Sequence, residues 1–235
     1  MTHWSPEIAN CFHPFGEEEG EAELHLQQQS DKDFTLTSGF TYKCGDSHSI
    51  DLGPGRLQET DLTSVPSSMQ WMVGSYGRHT FAALLHDALI RGVATTSRHF
   101  PTGPWEKRVA IDAIFFEALV CLGVPKLLSR LMWAAVTIKS RWNSGNLRRA
   151  LTMLWMASVI AGTGLLVWGS LSGRWDAVAL SLVLPLLGAT LWGKGFRAGV
   201  FGGYGVVFVA LPTGFGWLAS GAYRLIQRIA GDRVS

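Results

Sequence analysis

The rhythm of apolar and polar positions changes three times along this 235-residue chain. Residues 34–43 (FTLTSGFTYK) and 47–53 (SHSIDLG) are short runs rich in Phe, Thr, Tyr and Ile around Cys44, Gly45 and Asp46, a pattern that predicts a β-hairpin. In residues 77–92 (GRHTFAALLHDALIRG) the spacing becomes helical, with Phe81, Leu84, Leu85 and Ala88 on one face and Gly92 as a stop. His86 and Asp87 therefore fall mid-helix. Residues 91–108 read as a loop, because Pro101 and Pro104 block helix; Thr102 is a cap candidate for the next helix, and Pro104 and Glu106 fit its first turn. That helix is apolar from Val109 to Leu122, interrupted by Asp112 and Glu117, and Gly123 ends it. Pro125 restarts a helix with Leu127, Leu128, Leu131, Ala135 and Val136 on one face and Lys126 and Arg130 on another.

The third rhythm is an absence of charge. Residues 150–173, 177–193 and 198–223 hold no charged side chain over 24, 17 and 26 positions. At about 1.5 Å per residue these lengths bracket a hydrocarbon core of about 30 Å, so three transmembrane helices are expected. Pro185 sits in the second run. Arg174, Trp175 and Asp176 alone join it to the first, which predicts a tight helical hairpin. The third run is thinned by glycines and contains Pro212, leaving a re-entrant or surface-lying segment as an alternative. The fold class is thus α+β: a small domain of short strands followed by helices, with an all-α transmembrane unit of about three helices.

Charge sharpens this division. Through Leu147 there are 16 acidic and 12 basic residues, a net of −4; the remainder has 2 acidic and 8 basic, a net of +6. An acidic first part argues against a nucleic-acid partner, while sparse Lys and Arg between uncharged runs suit loops beside a membrane, so lipid is the expected partner. A homo-oligomer or a membrane-protein partner stays open. Residues 17–23 (EEEGEAE) are five acids in seven and lead to a reading of residues 1–33 as a flexible acidic leader. The domain is expected at 34–142, a linker at 143–149, the transmembrane helices at 150–223 and a basic tail at 224–235. Cys11, Cys44 and Cys121 are odd in number and show no Cys-x-x-Cys spacing, so no disulfide framework or zinc knuckle is expected. With no signal-like N-terminus, and with six Lys or Arg against four favouring the inside, a multi-pass chain with a cytosolic first domain follows.

Between hairpin and first helix lies Thr60-Asp61-Leu62-Thr63-Ser64-Val65-Pro66, a rigid loop by virtue of Pro66 and the local hydrogen-bonding of Asp61, Thr63 and Ser64. Together with Trp71, a Gly-rich turn and the Ala82-x-x-x-His86-Asp87 helix, it resembles the phage-associated domain of unknown function numbered 1353. The resemblance extends to the RVAIDAIFFEALVCLGV helix and covers roughly residues 34–142. It implies domain limits and candidate residues, and no activity.

Those candidates are His86, Asp87, Asp61 and Asp112. Each stands where apolar neighbours would favour an apolar residue, and burying a carboxylate without a partner is costly. One imidazole and three carboxylates suit a divalent metal, or a general acid and base around a bound water. His86 and Asp87, being adjacent, point about 100° apart, so other elements must complete any cluster. The plainer alternatives are specific. Asp61 caps a turn with Ser64; Asp112 pairs with Arg108 one turn earlier; His86 is a hydrogen-bonded core histidine; Asp87 orients it or pairs with Arg91. Ser64 lacks the Gly-x-Ser-x-Gly turn of a serine nucleophile. The sequence supports a membrane-anchored phage- or prophage-type accessory protein with a polar, hydrolytic-type site, or a non-catalytic membrane scaffold in which the same residues hold the fold. A transporter is disfavoured because no uncharged run contains an internal charge.

Overall fold

A computed structural model of the chain describes residues 11–17, 20, 22–28, 34–43, 49–58, 77–205 and 221. Strands come first. β1 (Phe12–Pro14), β4 (Phe40–Lys43), β5 (Ser49–Leu52) and β6 (Thr95–Thr96) form an antiparallel sheet in the order β1-β4-β5-β6, and β2 (Leu26–Gln28) pairs with β3 (Phe34–Leu36). The expected hairpin is β4 with β5, in the register Phe40 to Leu52 and Tyr42 to Ile50. Alternation along β5 buries Ile50 and Leu52 and turns Ser49 and Asp51 outward, so one face of the sheet is apolar and needs a cover.

Helix α1 (Thr80–Arg91) supplies that cover. Its Leu84, Leu85 and Ala88 are fully buried, and the Phe81 ring lies 4.9 Å from Phe12 and 5.4 Å from Phe40. Gly92 ends the helix in the left-handed region (φ 71°), where its N–H reaches back to Leu89 and a side chain would be strained. α2 (Pro104–Cys121) starts with proline at its first position; Gly103, not Thr102, is the N-cap residue. α3 (Lys126–Trp142) differs from its predicted face, since it buries Ser129, Met132, Ala134, Thr137, Ser140 and Arg141 while Leu127 is 67% exposed. The reason is that α3 lies between two layers, α2 on one side and the apolar tail on the other, and a face shared with neighbours is not the most apolar one.

The leader does not stand apart from the domain. β1 and β2 both fall inside residues 1–33, Phe12 is 3% exposed, and its ring centroid lies 5.4 Å from that of Phe40 and 4.9 Å from that of Tyr42 in the core. Strand pairing with β4 overrides the local acidity. Nor are the cysteines all unpaired, as the sequence suggested. Cys11 and Cys121 form a disulfide that joins the edge of the sheet to the end of α2 across 110 residues, with the Cα atoms 6.5 Å apart. Cys44 lies outside the described residues.

α4 (Asn146–Ser172) and α5 (Trp175–Thr190) make the tight hairpin expected of the first two uncharged runs. Small residues let them approach: a Cβ at Gly162 would stand 2.9 Å from the Ser181 carbonyl oxygen and 3.2 Å from Pro185. After the 3-10 turn Gly193–Gly195 the chain is helical over 196–205 and returns to the hairpin, where Trp155 and Trp192 meet edge to face at 4.9 Å. α4, with 27 residues and a stretch of 18 among them with a mean hydropathy of 1.9, is long and apolar enough to cross a membrane. Among the described residues it is the one such helix. At 16 residues α5 is shorter, about 24 Å, and most of the third run lies outside the described residues.

Closing a loop of 110 residues removes unfolded-chain entropy worth on the order of 4–5 kcal/mol in the loop-closure account. Reductant is therefore expected to lower the melting temperature of the wild-type chain, at a cost of about 2–5 kcal/mol, and to leave Cys121→Ser unaffected. Thermal unfolding of both proteins with and without dithiothreitol measures this. Equal melting temperatures for oxidised and reduced wild type would remove the bond from the account of stability.

Candidate functional site

The site grows from the packing of α1 on α2. Leu84, Leu85, Ala88 and Leu89 on α1 meet Ile111, Ile114, Phe115 and Ala118 on α2 in one core, and this brings the residue after Leu85 against the residue after Ile111. His86 Nε2 donates to Asp112 Oδ1 at 2.8 Å. Asp112 is 1% exposed, the His86 side chain 16%, and the Phe115 ring centroid lies 5.2 Å from the imidazole. From the third helix, Ser140 Oγ donates to the same Asp112 oxygen at 3.1 Å. One carboxyl group in α2 thus joins α1 and α3.

This geometry decides the chemistry available. A carboxylate oxygen accepts, so the proton sits on Nε2 of the imidazole and, in the neutral ring, Nδ1 carries the lone pair. Asp112 orients the imidazole; it does not stand beside it as a second free acid. Ser140 is bonded to the carboxyl group and not to a ring nitrogen, so the three do not form the relay in which histidine takes a proton from a serine nucleophile. Asp112 Oδ2 is buried with no hydrogen-bond partner among the described residues.

Of the four expected residues, two meet. Asp87, one position along α1, points away from Asp112 and accepts from Arg91 Nε at 3.1 Å, one helical turn on. Arg91 Nη1 also donates to the Gln58 carbonyl at 3.0 Å, so this pair fastens the segment after β5 to α1. Asp112 forms no ion pair with Arg108; its partners are His86 and Ser140. Asp61, with Ser64 and the rest of its loop, lies outside the described residues. Among the described residues no three His, Cys, Asp or Glu side chains gather closely enough to hold a metal ion. A metal at His86 would have to use Nδ1, with Asp112 bonded to the far side of the ring as an outer partner and not as a ligand. Among the described residues the site is a His86–Asp112 dyad with the Ser140 hydroxyl behind it.

Ser140 was not singled out by the sequence. A small polar residue near the end of an amphipathic helix is ordinary, and its pairing with a residue 28 positions away leaves no local trace. The comparisons fit the earlier resemblance. Residues 34–136 match the model of the family described as a protein of unknown function, DUF1353. The match supports the family reading of that segment. No curated protein and no solved structure matches the chain. The DUF1353 segment contains His86 and Asp112, whereas Ser140 and Cys11 are outside it, so the dyad lies within the family match and two of its supports come from flanking sequence.

Removing the acceptor shared by two helices leaves the donors of His86 and Ser140 inside the protein. Asp112→Ala is expected to cost about 3–5 kcal/mol, the range for breaking a buried hydrogen-bonded pair. Asp87→Ala breaks a pair that is partly open to solvent and is expected to cost about 1 kcal/mol or less. Chemical denaturation of the detergent-solubilised full chain compares them. Equal, small losses would mean that Asp112 is not what holds the three helices together.

Proposed function

We propose that this chain is a membrane-anchored accessory protein of phage or prophage type whose strand-and-helix domain uses His86 as a general base in a hydrolytic-type reaction. The observation that carries this is the 2.8 Å bond from His86 Nε2 to the buried Asp112, which sets the ring's tautomer and leaves Nδ1 for a substrate proton or a water molecule. The partial exposure of the His86 side chain supplies access. The phage setting rests on the resemblance of residues 60–87. The anchor is α4, with α5 and residues 198–223 completing a multi-pass unit of about three helices, supported by the apolar outer face that Met153, Leu154, Ile160, Leu180, Leu182 and Leu187 present.

A second reading has its own support. Asp112 is almost fully buried and is bonded to Ser140 as well as to His86, as suits a fastening in a non-catalytic membrane scaffold. His86→Gln separates the two. A general base or metal ligand loses hydrolysis of a panel of model esters, or bound divalent metal, with little change in melting temperature. A fastening loses stability and changes neither of the other readouts, an outcome that would end the catalytic proposal.

Membrane embedding predicts that the full chain stays in the membrane fraction after carbonate treatment; release would remove the anchor from the proposal. On the side of the membrane two features oppose each other. The excess of Lys and Arg around residues 139–149, 194 and 197 favours a cytosolic domain. The Cys11–Cys121 bond favours an oxidising compartment. We place the domain in the cytosol, so Cys44 is expected to be shielded from an impermeant thiol reagent in intact cells. Labelling before lysis would reverse the topology.

A further inference from the structure

At one end of α4 the protein has a pocket of about 460 Å³, formed where the start of α2, the end of α3, the start of α4 and the turn after α5 converge. Arg141, Arg148 and Lys194 line it against a single acid, Glu106, and none of the three basic side chains is in an ion pair among the described residues. Arg141 is 3% exposed, and its hydrogen-bond partners among the described residues are neutral acceptors: Nε donates to Thr152 Oγ1 at 3.1 Å, Nη2 to the Leu191 carbonyl at 2.6 Å and Nη1 to the Trp192 carbonyl at 3.4 Å. The last two are carbonyls at the C-terminal end of α5, the negative end of a helix, and they fix the guanidinium without neutralising it. Three bonds leave two of its five N–H donors over. Burial, and then the charge of Arg148, push the Arg141 pKa below its ordinary value.

Further donors are at the same place. Trp192, 1% exposed and lining the pocket, keeps its indole N–H buried with no acceptor among the described residues. Asn146, Leu147 and Arg148 begin α4 on the pocket wall, and no side chain caps their helix. The positive end of α4 adds to the field of the three basic side chains.

We propose that this pocket binds the phosphate of an anionic phospholipid headgroup. A phosphate monoester or diester matches the donors present, since guanidinium and ammonium groups bond its oxygens directly. Position selects the lipid over a free phosphate ester. α4 leaves the pocket as the helix suited to cross a membrane, with Leu147, 75% exposed, at the rim and Met153 and Leu154 exposed on the following turns. The Trp105 and Trp192 rings beneath the guanidinium groups belong to the aromatic class that gathers at headgroup level. A volume well above that of one phosphate leaves room for the glycerol. The basic pocket between helices at the membrane surface is a recurrent way of holding such headgroups.

The proposal rests on the embedding of α4, and the experiment keeps the two apart. Detergent-solubilised full chain is titrated with dioctanoyl phosphatidylglycerol, dioctanoyl phosphatidylcholine and inorganic phosphate, and tryptophan fluorescence is read. Phosphatidylglycerol is expected to bind saturably and about tenfold tighter than phosphatidylcholine, and the preference is expected to disappear in Arg148→Gln/Lys194→Gln. Arg174→Gln, at the far end of the hairpin, is expected to retain it. Lys194 is exposed, so Lys194→Gln alone, with an unchanged melting temperature, gives the same test if the double variant unfolds. Equal affinity for the two lipids, or a preference that survives in a folded variant, overturns the proposal. Competition by inorganic phosphate as effective as that by the lipid assigns the pocket to a soluble phosphate ester and overturns the lipid. A chain that resists carbonate yet shows no preference fails here alone; a chain released by carbonate fails in both respects.

Discussion

The domain is arranged around the need of one buried carboxyl group for partners. Asp112 sits in α2 between Ile111 and Ala113, and its exposure of 1% removes water as its solvent. Left alone there, it would cost several kcal/mol in effect. His86 from α1 and Ser140 from α3 supply donors to the same oxygen, and that requirement sets where three helices lie relative to one another. Apolar packing alone specifies such positions loosely, since Leu and Ile contacts tolerate small shifts, whereas bonds of 2.8 and 3.1 Å do not. The sheet closes the other side of α1 through Phe12, Phe40 and Phe81, and the Cys11–Cys121 bond ties its edge to the end of the helix that carries Asp112.

The same turn of α3 faces both ways. Ser140 bonds Asp112 in the domain, and the next residue, Arg141, rotated by about 100°, bonds Thr152 of α4 and the carbonyls that end α5. Two consecutive side chains thus connect the polar centre of the domain to the base of the hairpin. The cation–π contacts of Arg141 with Trp105 and Trp192, at 5.8 and 5.0 Å, fill the junction without introducing a carboxylate. The helical hairpin is thereby held to the domain by side-chain hydrogen bonds as well as by the chain at residues 143–149. This arrangement also places the His86 dyad and the basic pocket against different faces of one helix.

Much of the fold was legible because its signals are local. The limits of α1 follow from helical spacing and Gly92, those of α2 from Pro104 and Gly123, and the α4–α5 hairpin from two uncharged runs separated by three residues. The β4–β5 pairing was readable for the same reason, since its strands are separated by one short connection. Both members of the dyad could also be suspected, because His86 and Asp112 each break an apolar pattern that predicts a different residue. By itself, then, the sequence determined the β4–β5 hairpin and the helices α1 to α5 in their order, the division into a charged part and an uncharged part, and the unusual placing of these two side chains.

Tertiary structure decided what lies between the elements. The pairing of β1 with β4 drew part of an acidic leader into the core, and Cys11 met Cys121 although three cysteines with no motif predicted no bond. Asp87 turned to Arg91 and away from the dyad, because adjacent helical residues cannot share a target, and Ser140 joined the dyad from α3. Arg141 looked like one more positive charge beside a membrane span until the end of α5 was seen to accept its donors. Each of these pairings joins residues far apart in the chain or selects among neighbours by direction. Spacing along a sequence records neither, because direction and distance between remote residues exist only once the helices have packed.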